Sequence, residues 1–222
     1  MASRYRLPVV GCVSPEALEA LDPVVELIEN RRTSVRHPGA LIIGISGIDG
    51  SGKSYLGKTL KECLISAGHE AALIGVDDWL HPDLDHSQMT PRDFYERGVR
   101  FARLFEDVIK PLREHGSASV EISCGDPAGA QNLSRFAFSA VEIVLVEGIF
   151  LFQERHSHHF DLKIWIECSF ETALERAIAR GQEGLSAGAT RQAFERLYFP
   201  AQRLHFEQDH PQKIADYILL NE

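Results

Sequence analysis

A glycine-rich segment at residues 47–54 constrains this chain more than any other feature of its sequence. The segment reads GIDGSGKS and matches the pattern G-x-x-x-x-G-K-[S/T] at every fixed position. The apolar run before it, residues 41–45, predicts a buried strand, and the stripe Leu56, Leu60 and Leu64 predicts a helix after it. Such a turn directs backbone N–H groups and a helix N-terminus at phosphate oxygens. The sequence therefore predicts a nucleoside triphosphate site formed by Gly47, Gly50, Ser51, Gly52, Lys53, Ser54 and Tyr55.

Strands and helices are predicted to alternate along the rest of the chain. Apolar runs predict strands at residues 71–76, 141–146, 162–166 and 215–219. Apolar residues at helical spacing predict helices at 101–112, 170–178 and around 194–198, and Pro111 is expected to kink or end the first of these. This alternation indicates an α/β fold with a parallel sheet covered by helices on both faces. Ligands are expected at the carboxyl ends of the strands.

Residues 1–39 are expected to form a helical extension before the main domain. Ser14-Pro15 and Asp22-Pro23 each combine a capping side chain with a proline in the first turn, as helix starts do. His37-Pro38-Gly39 then interrupts the chain. We therefore expect one principal domain, residues 40–222.

The net charge and the cysteine spacing disfavour several kinds of ligand and of structural framework. The formal charge of −9, without a basic block, disfavours nucleic acids and anionic membranes. The four cysteines, Cys12, Cys63, Cys124 and Cys168, form no C-x-x-C pair, so neither a zinc ribbon nor a disulfide framework is expected. No signal peptide is recognisable, and no apolar run approaches the roughly 20 residues of a membrane span. These features predict a cytoplasmic protein and leave a homo-oligomer open.

Two predicted strands end in carboxylates. Asp77 and Asp78 follow the second strand, and one of them can orient a hydroxyl nucleophile and accept its proton; we expect Asp77 to do so. A helix cap or a turn is the structural alternative for this pair. Glu147 ends the next strand and, with Ser54, is expected to hold Mg²⁺, which needs only one or two protein oxygens.

Arginines are frequent near a predicted lid. Arg176 and Arg180 lie four residues apart on one helical face, where they can stabilise charge on a transferred phosphoryl group. The glycine-containing stretch that follows predicts a lid over about residues 181–196. Three further arginines follow: Arg191, Arg196 and Arg203. For any one of these arginines, an exposed surface position is an equally good interpretation.

A histidine group, His156, His158 and His159, has no acidic or cysteine partner nearby. We therefore expect a surface loop there rather than a metal site.

The phosphate-binding motif alone does not separate kinases from GTPases or transport ATPases. The chain has no N-K-x-D segment for guanine, and residues 185–189, LSAGA, lack the strand ending in Asp-Glu that follows a transporter signature. The remaining classes are an ATP-dependent kinase acting on a hydroxyl of a small metabolite and a regulatory protein that binds ATP without transferring phosphate. Asp77 and Glu147 favour the kinase, because a passive binder needs neither.

Several motifs in order resemble the family of uridine kinase, phosphoribulokinase and nicotinamide riboside kinase. They are IGISG leading into GKS, VDDW at residues 76–79, VEGI at 146–149, IWIE at 164–167 with the two arginines, and the final Arg203, Pro211, Lys213, Ala215 and Asp216. The resemblance covers about residues 40–222. It implies a three-layer P-loop NTPase fold, a five-stranded parallel sheet of order 2-3-1-4-5 and a substrate-side hairpin at residues 120–124 and 136–138. It also implies ATP and Mg²⁺ as cofactors, with Lys53, Asp77, Arg176 and Arg180 as catalytic residues.

The chain departs from this family where the acceptor is expected to bind. The tyrosine and histidine with which uridine kinases bind the pyrimidine are replaced by the sequence CGDPAGA at residues 124–130, and Arg100 stands where an acid usually binds ribose hydroxyls. A nucleoside acceptor is still favoured, with Asp77, Asp93 and Arg100 as acceptor contacts. An anionic acceptor, such as a sugar phosphate, glycerate or pantothenate, is the alternative, because a guanidinium binds carboxylate and phosphate well.

Overall fold

The structure is a computed structural model that describes residues 4–6, 21–35, 38–81, 88–125, 131–181 and 185–222. Its strands are β1 Arg4–Arg6, β2 Leu41–Gly47, β3 Ala71–Gly75, β4 Ala118–Gly125, β5 Gln131–Phe138, β6 Ile143–Gly148, β7 Leu162–Glu167 and β8 Tyr217–Leu220. Its helices are α1 Asp22–Ser34, α2 Lys53–Ser66, α3 Pro91–Arg97, α4 from Phe101 to His115, α5 Phe170–Arg180, α6 from Ala187 to Asp209 and α7 Pro211–Ile214.

Six parallel strands form the main sheet in the order β1-β8-β7-β2-β6-β3. The five expected strands keep the expected order, which confirms the predicted topology, and the three-residue β1 extends one edge of the sheet. The central strands β2 and β6 are buried along their whole length, as apolar strands between two helical layers should be. The carboxyl ends of β2, β3 and β6 therefore meet at one edge.

Helices cover both faces of this sheet. On one face, Val24 and Ile28 of α1 and Leu56 and Leu60 of α2 pack against the strands. The other face is covered by α3, α4 and α6 with a larger aromatic cluster. Burial of these side chains removes apolar area from water, at about 25 cal/mol per Å². The result is the three-layer α/β architecture that the alternation of elements predicts.

Two prolines lie inside long helices without ending them. A π-helical turn, Phe105–Ile109, precedes Pro111, and the Lys110 N–H bonds five residues back to the Phe105 carbonyl. Another π turn, Phe194–Tyr198, precedes Pro200 in α6. The wider turn makes room for a ring that would clash with the preceding helical turn. Of the two predicted outcomes at Pro111, a kink or an end, the helix does not end there, because the π turn accommodates the proline.

The N-terminal region is described in part. A helix starts at Asp22 and has Pro23 in its first turn, as predicted. The other predicted start, Ser14-Pro15, lies outside the described residues. The short β1 pairs in parallel with β8. The division into an extension at residues 1–39 and a domain at 40–222 stays a prediction.

The antiparallel hairpin β4–β5 forms a small second sheet, as the resemblance implies, with Val120 opposite Phe136.

The loop that contains the three histidines differs from expectation. His158 is exposed, but the His156 ring packs against Phe101 and Phe105, and His159 stacks on Phe105 with ring centroids 4.1 Å apart. Burial lowers the pKa of His156 to about 4. Two of the three rings thus support the aromatic core, and the surface-loop expectation holds for His158 alone.

Among the described residues, no three or more His, Cys, Asp and Glu side chains cluster as a metal site would require. None of the described helices combines the length and the apolar character needed to cross a membrane.

Candidate active site

The phosphate-binding turn connects β2 to α2. Gly50 and Gly52 have φ values of 81° and 98°, which L side chains rarely adopt. A Cβ at Gly50 would lie 2.4 Å from the Ala173 carbonyl oxygen, and one at Gly52 would lie 2.5 Å from Asn221 Nδ2. The helix begins at Lys53, so its unpaired N–H groups and positive dipole end face the turn. The local geometry is that of an anion cradle.

Lys53, Ser54 and Glu147 converge at the carboxyl ends of β2 and β6. The sheet register places Glu147 beside Ile45. The Ser54 hydroxyl donates to Glu147 Oε1 at 2.9 Å, and buried Lys53 donates from Nζ to the Ile48 carbonyl at 2.8 Å. A hydroxyl and a carboxylate oxygen side by side are the hard donors that Mg²⁺ takes, so the residues fit this ion.

Asp77 lies on a short 3₁₀ turn, Val76–Trp79, directly after β3. Its side chain is exposed to the cleft, and the cleft walls desolvate the carboxylate enough to raise its pKa. Lys53 and Arg180 oppose this increase, while Asp49 adds to it.

Burial also raises the pKa of Glu147. Lys53 opposes this effect most, and neighbouring Asp77 reinforces it. Two carboxylates with raised pKa values around one lysine are typical of a functional site.

A cavity of about 540 Å³ unites these groups. The predicted site residues that line it are Gly50, Gly52, Lys53, Ser54, Tyr55, Asp77, Glu147, Arg176 and Arg180. Gly47 and Ser51 belong to the same turn and are buried beneath the cavity. Asp78, the alternative to Asp77, does not line the cavity.

Arg176 is held by a network that joins three parts of the chain. It donates from Nη1 to the Asn221 carbonyl at 2.9 Å and from Nη2 to Asn221 Oδ1 at 3.4 Å. Buried Asn221 donates in turn from Nδ2 to the Ser51 carbonyl at 2.7 Å. Asn221 thus connects α5, the end of β8 and the phosphate-binding turn. The sequence had no local signal for it, because its partners lie far along the chain.

The remaining arginines do not line the cavity. Arg191 pairs with Glu195 at 3.6 Å, and Arg203 lies over the Phe170 ring at 4.8 Å. Arg196 donates to the Met89 carbonyl at 3.5 Å. Of the predicted lid, residues 182–184 lie outside the described residues, and Ala187–Ala193 is the helical first part of α6. The residues of the predicted lid that line the cavity are Leu185, Thr190, Ala193 and Phe194.

Asp93 and Arg100, expected as acceptor contacts, also lie outside the cavity lining. Asp93 completes a capping box with Thr90 at the start of α3 and pairs with Arg97. Arg100 donates to the Ser123 carbonyl at 2.8 Å and to the Trp79 carbonyl at 3.4 Å. Both side chains bind other parts of the protein in this structure, and their role as acceptor contacts stays a prediction.

Other parts of the cavity lining are residues that sequence reasoning missed. They are Leu80, Phe94, Ile149, Thr190, Phe194, Tyr198 and Gln202. A signal existed for Gln202, since it lies four residues after Tyr198 and four before Phe206, on an otherwise apolar helix face. A buried glutamine in such a stripe is unusual.

Comparison with known proteins gives matches at the level of structure. No family model and no curated protein sequence matches the chain. Among solved structures, a protein from Bacillus stearothermophilus described as a possible uridine kinase superposes with a TM-score of 0.67 at 18% identity, covering 90% of this chain and 98% of its own. A candidate fructose transport system kinase from Silicibacter gives 0.68 at 20% identity, with coverages of 90% and 98%. D-Glycerate 3-kinase from Cryptococcus neoformans gives 0.64 at 12% identity, with coverages of 94% and 96%.

The fold is that of the P-loop kinases. This confirms the resemblance inferred from the motifs at the level of architecture. The descriptions of the three similar proteins differ, and a shared fold does not determine a substrate.

Proposed function

We propose that this protein is a Mg²⁺-dependent kinase that transfers the γ-phosphate of ATP to a hydroxyl of a small metabolite. The observation that carries the proposal is that Lys53, Asp77, Glu147 and Arg180 line one cavity. A protein that only bound ATP would need the phosphate cradle but not an acid facing it. The non-catalytic alternative is for this reason less well supported.

Each side chain has a role in phosphoryl transfer. Lys53 neutralises charge on the terminal phosphates, and Arg180 and Arg176 stabilise the charge that spreads over the transferred group. Ser54 and Glu147 would hold Mg²⁺, which would neutralise negative charge on the ATP phosphates. Asp77 orients the acceptor hydroxyl and accepts its proton. Its raised pKa makes it a stronger base than an ordinary aspartate.

A neutral acceptor of the nucleoside type is the finer proposal. Among the described residues, the basic side chains that line the cavity are Lys53, Arg176 and Arg180, all at its phosphate end. Arg100, on which an anionic acceptor depends, is bound to backbone carbonyls. The rest of the lining is apolar, aromatic or uncharged apart from the acids Asp49, Asp77 and Glu147, which suits a neutral acceptor better than a sugar phosphate or glycerate.

An acceptor screen tests the proposal. Purified protein with Mg²⁺ and γ-labelled ATP is incubated with nucleosides, ribose, pentose phosphates, glycerate and pantothenate, and labelled products are identified by mass spectrometry. We expect transfer to at least one neutral hydroxyl acceptor, and its loss in Asp77→Asn but not in Asp78→Asn. ATP binding without transfer to any acceptor would favour the regulatory protein instead.

A further inference from the structure

The phosphate-binding turn carries an acid. Asp49 is the third residue of the GIDGSGKS segment, and it lines the cavity. Its neighbours in the turn are fixed by the fold, since Ile48 is 2% exposed and Gly50 has a φ value of 81°. A carboxylate in a cradle that binds phosphate repels the ligand of that cradle. The acid is thus unfavourable for ATP binding, unless another ligand of the same cavity uses it.

The Asp49 carboxylate has no bonded partner in the described part of the chain. It takes part in no hydrogen bond and no ion pair among these residues. Asp93 shows what a structural acid looks like in this protein, because it completes a capping box with Thr90 and pairs with Arg97. The oxygens of Asp49, in contrast, can accept hydrogen bonds from a molecule in the cavity.

Asp49 lies near the proposed base. It follows β2 and Asp77 follows β3, and the carboxyl ends of these parallel strands meet at one edge of the sheet. The charge of Asp49 is among those that raise the pKa of Asp77. The charges that act on the pKa of Glu147 are those of Lys53, Asp77 and Lys58. This favours a contact of Asp49 with the acceptor over a contact with a metal ion at Glu147.

Two carboxylates beside one acceptor can bind two of its hydroxyls. An ionised carboxylate only accepts hydrogen bonds, and those from hydroxyls are strong. We propose that Asp49 binds a second hydroxyl of the acceptor, beside the one at Asp77 that receives the phosphate, and thereby selects neutral acceptors with at least two hydroxyls. This inference rests on the proposed kinase function and adds a specificity residue that the phosphate-binding turn itself supplies. A phosphate or carboxylate group at the same place would be repelled.

Acceptors that differ by one hydroxyl test the contact. They are glycerol and 1,3-propanediol, D-ribose with its 2-deoxy and 3-deoxy forms, and uridine with its 2′-deoxy and 3′-deoxy forms. For a parent compound that wild type phosphorylates, loss of one non-reacting hydroxyl should raise the KM by about tenfold or more, as for a lost hydrogen bond to a charged group. Asp49→Ala should raise the KM of the parent alone, so that the preference disappears, and Asp49→Asn should retain part of it. An unchanged preference in Asp49→Ala would overturn the proposal.

The pH profile of kcat/KM gives a readout that a structural role would not change. Asp77 must be ionised to act as a base, so activity is lost as pH falls through its pKa. Loss of the Asp49 charge lowers the pKa of Asp77, so this acidic limb should move to lower pH in Asp49→Ala and Asp49→Asn. Glu175→Ala removes an exposed acid of α5 outside the cavity lining and should change neither the limb nor the preference. A shifted limb with an unchanged preference would mean that Asp49 acts only through the charge of Asp77, against the proposal.

Binding of Mg²⁺ by Asp49 is the competing role. It would raise the Mg²⁺ concentration needed for half-maximal activity in Asp49→Ala. The proposed contact leaves this concentration unchanged, and the KM for ATP should not rise. A raised Mg²⁺ requirement in Asp49→Ala would therefore overturn the proposal.

Failure of the contact can be told apart from failure of the kinase. Phosphorylation of anionic acceptors alone, or of parent and deoxy compounds with equal KM, would leave the kinase standing and overturn the contact. If no acceptor is phosphorylated, a saturable rise in Tm with D-ribose or uridine that is absent with a deoxy analogue and lost in Asp49→Ala would support the contact while the kinase proposal fails. Absence of both turnover and this rise in Tm overturns the contact.

Discussion

Two parts of the cavity lining differ in how their polar groups are held. Near the phosphate-binding turn, Lys53 bonds the Ile48 carbonyl, Ser54 bonds Glu147, and Asn221 joins Arg176 to the turn. On α6, the amide of Gln202 and the hydroxyl of Thr190 have no such partners among the described residues. Hydrogen bonds within the protein therefore order most polar groups of the turn, with Ser51 Oγ as an exception, whereas these two side chains of α6 are buried without a partner in the described part of the chain.

The largest expected effect is that of Asp77→Asn. Loss of a positioned base should lower kcat by about 10² to 10⁴, because only the carboxylate can take the hydroxyl proton. The KM for ATP should change little, since the contact proposed for Asp77 is with the acceptor hydroxyl and not with ATP. Steady-state kinetics would show this, with Asp78→Asn as the control. A large loss of kcat in Asp78→Asn alone would assign the base to Asp78 instead of Asp77.

Lys53→Ala comes next, with an expected loss of about 10² to 10³ in kcat at saturating ATP, typical of removing one group that stabilises transition-state charge. The fold should remain, which circular dichroism can check. Lys61 lies on the same helix outside the cavity lining, so Lys61→Ala should retain wild-type turnover. Near wild-type kcat in Lys53→Ala would contradict the phosphate-binding mechanism.

Asn221→Ala tests whether the phosphate end depends on the network beneath it. The change removes the hydrogen bond to the buried Ser51 carbonyl, at a cost of about 1–3 kcal/mol. For a protein of this size, each kcal/mol lowers the Tm by about 2–4 °C. We expect a lower Tm together with a KM for ATP raised severalfold, whereas the exposed Asn30→Ala should change neither. A lower Tm without any effect on ATP would make Asn221 purely structural.

The pH dependence of stability distinguishes acids in the cavity from acids that cap helices. Folding raises the pKa of Asp77, so the stability linked to this group is full below its unfolded pKa of about 4 and decreases as pH rises through the folded value. Asp77→Asn should therefore raise the Tm at pH 7, and the gain should disappear near pH 4.

Asp93 is the control of opposite sign. Hydrogen bonds from Thr90 and Arg97 lower its pKa, so the stability that it contributes is present above pH 4 and is lost as pH falls through the lowered value. Asp93→Asn should lower the Tm at pH 7. Differential scanning calorimetry at several pH values gives both curves, and a shift of the same sign in the two variants would contradict the desolvation of Asp77.

Arg100→Ala should have the smallest effect on activity. Because Arg100 bonds carbonyls of the hairpin and the 3₁₀ turn, we expect a modest loss of Tm and an acceptor KM within about twofold of wild type, as for surface positions away from a site. Arg103→Ala is the matched control, because Arg103 lies in the first turn of the helix that Arg100 precedes and also contacts the hairpin. A tenfold rise in the KM of an anionic acceptor in Arg100→Ala alone would restore its predicted role.

Prediction from the sequence agrees best with the structure where a feature is formed by contiguous residues. The turn at residues 47–54 could be predicted because its backbone conformation and its phosphate contacts are both set by local residue types. Asp77 and Glu147 could be placed because each directly follows an apolar run, and parallel strands bring their carboxyl ends to one edge. The hydrogen bonds of Arg100 could not be predicted, since its charge does not indicate which carbonyls the folded chain brings within reach.

The sequence by itself determined the α/β alternation, the order of the site motifs and the phosphate-binding turn, because periodicity and glycine positions act over a few residues. The tertiary structure alone decided that Asn221 supports Ser51 across 170 residues of chain and that Gln202 and Phe94, from different helices, line the same cavity. Hydrogen-bond satisfaction of a buried side chain depends on every neighbour that packing provides. No local pattern carries that information, and only the folded chain separates Gln153, which is satisfied, from Gln202, which is not.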